Sequence, residues 1–238
     1  MASFHHRIKS GKKGTAKEHA AYIERRGRHR TREDLVHASH GNLPDWTEGD
    51  PIKFWREADK HERANGAAYR EHEIALPNEL TQEQLIDLAE RIVQQVVGVK
   101  PYQYAIHMPE GKLGGILNPH MHLMHTDRIP DDIERTPDRM FTRYNPQHPE
   151  RGGWRKDSGG KSPIALRDHV IATRKAIATL QNAALAEHGH TARVDHRSLR
   201  EQGQRRVPER HLGQGKVRGM TVQEREVYVA GRSKNTAT

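Results

Sequence analysis

Residues 104–125, YAIHMPEGKLGGILNPHMHLMH, decide how the rest of the chain is read. Along an extended strand successive side chains leave opposite faces, so His120 and His122 share one face while Met121 and Leu123 share the other. One face then holds polar ligands and the other enters a core. His107 precedes the pair by the Gly-rich stretch GKLGG, 111–115, whose composition is that of a hairpin turn and lays a third imidazole beside the first two. The spacing predicts two antiparallel strands, 102–107 and 120–125, with His107, His120 and His122 converging on one divalent metal ion. Three nitrogens on one side of a cation leave its other positions open to substrate oxygens, a catalytic arrangement more than a structural one. Chance is the rival reading, because the chain carries 18 histidines, and His37, His61 and His169 read as surface or capping groups. The apolar alternation through Leu123, Asn118-Pro119 ahead of it and His107 upstream favour the site.

Outward from this hairpin, Thr81-x-x-Gln84 is a capping box, and Leu85, Leu88, Ala89, Ile92, Val93 and Val96 recur every three to four residues. A helix with that stripe packs on one face of a sheet. Residues 68–77 alternate as a strand, with Glu71 and Glu73 on one face and His72 on the other. Residues 163–187 predict a second long helix, with Val170, Ile177, Leu180, Ala184 and Leu185 on its buried side and Gly189 as its stop. Near the amino terminus, 3–9 reads as a short strand, 15–26 as a helix stopped by Gly27, and 54–65 as a helix stopped by Gly66. Residues 28–50 show no clear period, and 152–161 read as a glycine- and charge-rich connection. No internal repeat or sustained heptad occurs. The order of elements predicts an α+β fold, a central antiparallel β-sheet covered by helices on one side.

Composition narrows the function classes. Of 238 residues, 33% are hydrophobic and 30% charged, which suits one modest core with extended polar segments. Zero cysteines exclude disulfides, thiolate ligands and cysteine nucleophiles together. No apolar run approaches the roughly 20 residues of a membrane helix, and the first residues lack a signal-peptide stretch, so a cytoplasmic location is expected. The net charge of +9 is concentrated: residues 1–32 carry +8 and residues 193–218 carry +5. Basic ends around a mildly acidic body point to a polyanion, and nucleic acid is the leading partner. Residues 229–238, VAGRSKNTAT, read as a disordered, solvated tail.

A metal beside a basic approach suits attack on a phosphodiester. Tyr22, on the helix inside the first basic segment, is the candidate nucleophile. A phenol is mostly protonated at neutral pH, so it needs a base or a positive field to attack. A phenolate also leaves more readily than an alkoxide, so the bond it forms can be reversed by a DNA 3′-hydroxyl without ATP. Spacing alone does not separate Tyr22 from Tyr69, Tyr102, Tyr104 or Tyr144. Glu71 and Glu73 are candidates to accept a hydrogen bond from a ligand imidazole or to help deprotonate Tyr22, against the alternative of a solvent-facing edge strand. Asp127 either orients His125 or a ligand, or simply begins a turn. Arg25, Arg26, Arg28, Arg30 and Arg32 flank Tyr22 and suit DNA phosphates, with Arg197, Arg200, Arg205 and Arg206 as a second contact. Trp46, Trp55 and Trp154 are candidates for base stacking, although Trp55 beside Phe54 suits a core better.

AAYIERRG at 20–27, HERANG at 61–66, EHEIALPNELT at 71–81, NPHMHLMHTDRI at 118–129, RYNPQHPERGG at 143–153, DHRSLREQG at 195–203 and PERHLG at 208–213 together resemble the MobA/MobL family of plasmid mobilisation relaxases. The blocks span nearly the whole chain in the family's order. The resemblance implies an HUH endonuclease, named for two histidines on one strand, with a relaxase domain over 1–228, helices behind the sheet and a DNA groove in front. It implies that Tyr22 nicks single-stranded DNA at a plasmid transfer origin and stays joined to the 5′ end. His107, His120 and His122 would then hold a divalent metal ion, Mn or Mg first, with Zn, Co or Ni as alternatives. Auxiliary mobilisation proteins and a type IV secretion coupling protein are implied as partners, with no membrane insertion, translocation to a recipient cell and later rejoining of the strand. A C-terminal extension occurs in such proteins. Two rival functions share the features: an HUH replication initiator or transposase nickase, and a non-enzymatic basic nucleic-acid-binding module with an incidental metal site.

Overall fold

The computed structural model describes residues 3–111, 116–205 and 212–235. In chain order the elements are β1 (His6–Lys12), α1 (Ala16–Ile23), β2 (Leu35–Gly41), α2 (Pro51–His61), β3 (Ala67–Ala75), α3 (Gln82–Val97), β4 (Tyr102–His107), β5 (His120–His125), β6 (Arg128–Ile129), α4 (Pro137–Met140), β7 (Arg155–Lys156), α5 (Pro163–Glu187), α6 (Gly213–Gly219) and α7 (Val222–Asn235). Five strands form one antiparallel sheet in the order β1-β3-β5-β4-β2, and β6 pairs with β7 separately. No helix among the described residues is long and apolar enough to cross a membrane.

Register sorts the side chains. Across β4 and β5, Ala105 faces His122 and His107 faces His120, while across β3 and β5, Glu73 faces His122. Directly paired residues share a face, so the three imidazoles, Glu71 and Glu73 stand on one face, called the front. Ile74, Tyr104, Ile106, Met121 and Leu123 stand on the back. The expected β4–β5 hairpin is present and is prolonged by a bridge between Glu110 and Leu117. Residues 112–115 of its connection lie outside the described residues.

Helices cover both faces, where the sequence predicts cover on one. On the back, the capping box of Thr81 and Gln84 starts α3, whose Leu85, Leu88, Ala89 and Ile92 join Ile177, Ala184 and Leu185 of α5 against the sheet. On the front, α1 and α2 bring Ala16, Ala20, Ile23, Phe54, Trp55 and Ala58 onto Tyr69, Ala105 and Met124. The front is therefore split along its strands: an apolar end takes α1 and α2, and a polar end keeps the imidazoles. Asp59 of α2 fastens the two helices by accepting the amides of Gly14, Ala16 and Lys17, which serves as a cap borrowed from a neighbour. Gly11 lets β1 pass under Tyr69, since a Cβ there would lie 1.8 Å from the phenol ring.

Three further expectations change. Residues 35–41, in the stretch without a period, form β2; as an edge strand with β4 as its one neighbour it needs little apolar alternation, and a bulge near His37 interrupts it. Trp154 is buried, and Trp46 is half-buried and stacks on Phe54 at 6.0 Å, so both rings pack against the front core. The stretch read as a disordered tail from 229 is helical as far as Asn235, in α7.

The back face also carries a chain of buried imidazoles on β1, β3 and β5. His125 donates Nδ1–H to the Thr126 carbonyl at 2.7 Å, so its Nε2 accepts from His72 at 3.2 Å, and Nδ1 of His72 accepts from His6 at 2.9 Å. Each ring is thereby neutral, with one donor and one acceptor nitrogen. Burial, with Arg174 and His5 adding to it, lowers His6 to about 4; burial also lowers His125 to about 4 and His72 well below the ordinary value. The unfolded chain takes up these protons near pH 6.5, whereas the folded chain refuses them until about pH 4. Stability is then full above about pH 6.5 and falls as pH drops toward about 4. Urea midpoints measured between pH 7 and pH 4.5 are expected to decline steadily, and a flat profile would contradict the imidazole chain.

Candidate active site

The front imidazoles lie close together because β4 and β5 are hydrogen-bonded neighbours. Their ring centroids are 4.9 Å apart for His107 and His122, 5.1 Å for His120 and His122, and 5.4 Å for His107 and His120. One ligand nitrogen from each lies within 4.8 Å of the others. His122 donates Nδ1–H to Glu71 at 2.7 Å, and His120 donates Nδ1–H to the Asn118 carbonyl at 2.8 Å, so both present Nε2. These are the outer partners that fix a metal ligand's tautomer. His107 donates Nε2–H to the Ile23 carbonyl at 2.6 Å and accepts at Nδ1 from Arg25 Nη2 at 3.0 Å. To serve as third ligand it gives its Nδ1 lone pair to the metal in place of Arg25, or turns its tautomer over and releases both bonds. Burial lowers His107 to about 3 and also lowers His120, keeping both rings in the neutral form a metal requires. The donor set fits a divalent transition metal.

The two acids of β3 play different parts. Glu71 is buried; burial alone would raise its pKa, but hydrogen bonding by His122 and the approach of His19 hold it well below the ordinary carboxylate range. His19 Nε2 stands 2.8 Å from the same Glu71 oxygen, off the line of a hydrogen bond. Glu73 is ion-paired with Lys9 at 2.5 Å, and that pairing outweighs burial to lower its pKa. Of the roles open to them in the sequence, orienting a ligand imidazole is the one the geometry supplies for Glu71. Glu71→Gln is expected to weaken metal binding by about 10–100-fold, read by calorimetric titration with Mn²⁺, because a neutral amide holds the His122 N–H less firmly.

Tyr22 is half-buried on the last turn of α1, beside the trio. Its ring stands edge-on to His122 at 6.2 Å, near-parallel to His19 at 5.9 Å and edge-on to His29 at 5.2 Å. Guanidinium carbons of Arg25 and Arg32 lie 4.7 and 5.4 Å from its ring centre, and Arg32 donates to its hydroxyl at 3.4 Å. Two guanidinium groups thus flank the phenol, one of them hydrogen-bonded to its oxygen.

The arginines separate into inward and outward groups. Arg26 and Arg28 are exposed and pair with Glu24 and Glu18, leaving their outer faces to solvent. Arg25 is buried and bidentate to Asp34, which removes it from the surface expected to meet phosphates. Arg197 is exposed and held by Asp195, and Arg200 is exposed; the chain reaches them after Val194, which is tied to Asn182 of α5 in the back layer. Arg206 lies outside the described residues. Asp127 accepts from the amide and hydroxyl of Ser158, a tie to the segment that follows β7. Asp34 and His19 escape the sequence reading: Asp34 sits in the stretch without a period, and His19 is one histidine among many.

The MobA/MobL family model matches residues 9–221. The chain is 42% identical over 206 residues to the 43 kDa relaxation protein of Salmonella typhimurium, covering 85% of this chain and 56% of that protein. It is also 42% identical over 219 residues to Mobilization protein A of Escherichia coli, covering 90% of this chain and 30% of that protein. The chain therefore spans about half, or less, of the length of these relatives. A solved structure described under the molecular basis of vancomycin resistance transfer in Staphylococcus aureus superimposes with a TM-score of 0.60, covering 83% of this chain and 100% of that one, at 20% identity. That likeness speaks to the fold alone. A match running from within β1 to the residue before α7 leaves no part of the site outside it, and the chain belongs to the MobA/MobL family.

Proposed function

We propose that residues 1–228 form a metal-dependent single-strand DNA endonuclease and strand transferase that nicks a plasmid transfer origin and rejoins the strand in conjugative mobilisation. One observation carries the reading: the Tyr22 ring stands 6.2 Å from the ring of His122, itself one of three imidazoles with ligand nitrogens within 4.8 Å. The names of the two relatives, a relaxation protein and a mobilization protein, support it.

In this reading Tyr22 Oη attacks phosphorus as its proton departs, an O–P bond forms, and the P–O3′ bond breaks. The released 3′-oxygen takes a proton, and the 5′ end remains on tyrosine. When bound by His107, His120 and His122, a divalent ion, Mn or Mg before Zn, Co or Ni, would withdraw charge from the nonbridging phosphate oxygens. Glu71 holds His122 in its ligand tautomer, Arg32 donates to the Tyr22 hydroxyl, and Arg26 and Arg28 meet the DNA backbone. Arg197 and Arg200 would meet strand farther along. Auxiliary mobilisation proteins and a secretion coupling protein would be the partners of the covalent complex.

The test is incubation with oligonucleotides carrying candidate transfer origins, with and without Mn²⁺ or Mg²⁺, followed by denaturing gels. Label at the DNA 3′ end is expected to migrate with the protein, and label at the 5′ end to leave as a shorter fragment. DNA binding without any adduct across authentic origins would leave only the non-enzymatic module.

A further inference from the structure

Arg25 is the one member of the flanking arginine cluster that turns into the protein. It follows α1 directly and takes φ +55°, a left-handed conformation that is strained for a residue with a side chain. That turn drives the side chain inward, where Arg25 is 6% exposed. Asp34 grips the guanidinium through two bonds, Nε to Oδ1 at 2.7 Å and Nη2 to Oδ2 at 2.8 Å. Nη1 donates to the Tyr22 carbonyl at 3.0 Å, Nη2 reaches His107 at 3.0 Å, and the guanidinium carbon lies 4.7 Å from the centre of the Tyr22 ring. A single planar cation thus touches the backbone and the ring of the candidate nucleophile, a candidate ligand on β4, and the residue leading into β2. Arg26 and Arg28, exposed on either side of Gly27, make no such set of contacts.

We infer that Arg25 is a positioning residue: clamped by Asp34, it fixes the end of α1 and the Tyr22 phenol, and it makes no contact with DNA phosphate. The inference rests on the strand-transfer reading above. A fork of N–H donors is essential to the clamp, because a lysine ammonium is a point charge that cannot hold both Asp34 oxygens and the Tyr22 carbonyl together.

The test compares wild type, Arg25→Lys, Arg25→Gln and Asp34→Asn on one origin oligonucleotide that yields an adduct. Three quantities are read: circular dichroism for the fold, the salt dependence of single-strand affinity, and the adduct-forming rate at saturating DNA. Arg25→Lys is expected to lower the saturated rate by about 100-fold, the effect of an ångström-scale misplacement, with KM nearly unchanged. Arg25→Gln, which removes the charge that Arg25→Lys retains, should leave the slope of log affinity against log salt at the wild-type value, whereas losing a phosphate contact would lower it by about one unit. Asp34→Asn, which keeps its size but weakens the grip, should show the same split and decides the matter if Arg25→Lys does not fold. A wild-type rate in the folded variant, or the loss of one unit of salt slope, overturns the inference while the wild-type adduct still stands. Failure of wild type to form an adduct overturns the strand-transfer reading and this inference with it.

Discussion

Tyr22→Phe is expected to abolish the covalent DNA adduct, a loss of at least about 10³-fold in rate, while single-strand affinity stays within about twofold of wild type. The substitution removes one oxygen and keeps the ring. The packing on His19, His29 and His122 survives, and the donor lost to the hydroxyl belongs to Arg32, which is exposed and returns to water. Folding stability should therefore change by no more than about 0.5 kcal/mol, as for an exposed substitution. Another tyrosine is poorly placed to substitute. Tyr69 and Tyr104 are buried, and burial raises the Tyr69 phenol to about 12 and shifts that of Tyr104 in the same direction. Denaturing gels report the adduct and fluorescence anisotropy reports the affinity. An adduct at wild-type rate in Tyr22→Phe would remove Tyr22 from the chemistry.

His122→Ala is expected to cost cleavage at least about 10³-fold and also to destabilise the fold, two effects that chelation separates. The imidazole is a candidate ligand and the hydrogen-bond donor to Glu71, which is 1% exposed. Removing it leaves a buried carboxylate with His19 beside it but off the line of a hydrogen bond, a deficit of about 1–3 kcal/mol. Treating wild type with EDTA should abolish cleavage with the urea midpoint lowered far less than in His122→Ala, and added Mn²⁺ should restore it. Cleavage that persists through exhaustive chelation would remove the metal from the reaction.

The opposite faces of the sheet explain how much of the site is legible before any coordinates. The alternation HMHLMH assigns His120 and His122 to one face and Met121 and Leu123 to the other, and the faces observed agree. The capping box at Thr81 and the apolar period after it likewise place α3, because both signals depend on residues three or four apart in one helix. Edge strand β2 carries no comparable signal: its neighbour β4 lies some 65 residues later, and its own side chains are largely half-exposed. Cover on the front face is similarly hidden, since Ala105 and Met124 become an apolar platform only after β4 and β5 pair.

Local periodicity, then, is enough to bring three imidazoles to one strand pair and to place a tyrosine on a helix within a basic segment, because strands and helices repeat over a few residues of one segment. The sequence presents five arginines around Tyr22 as equivalents. Tertiary structure alone separates them: a left-handed turn at Arg25 points its side chain inward, and Asp34, nine positions along, meets it there beside His107. Whether a cation serves the surface or the interior depends on a partner brought close by folding, and that proximity has no period to read.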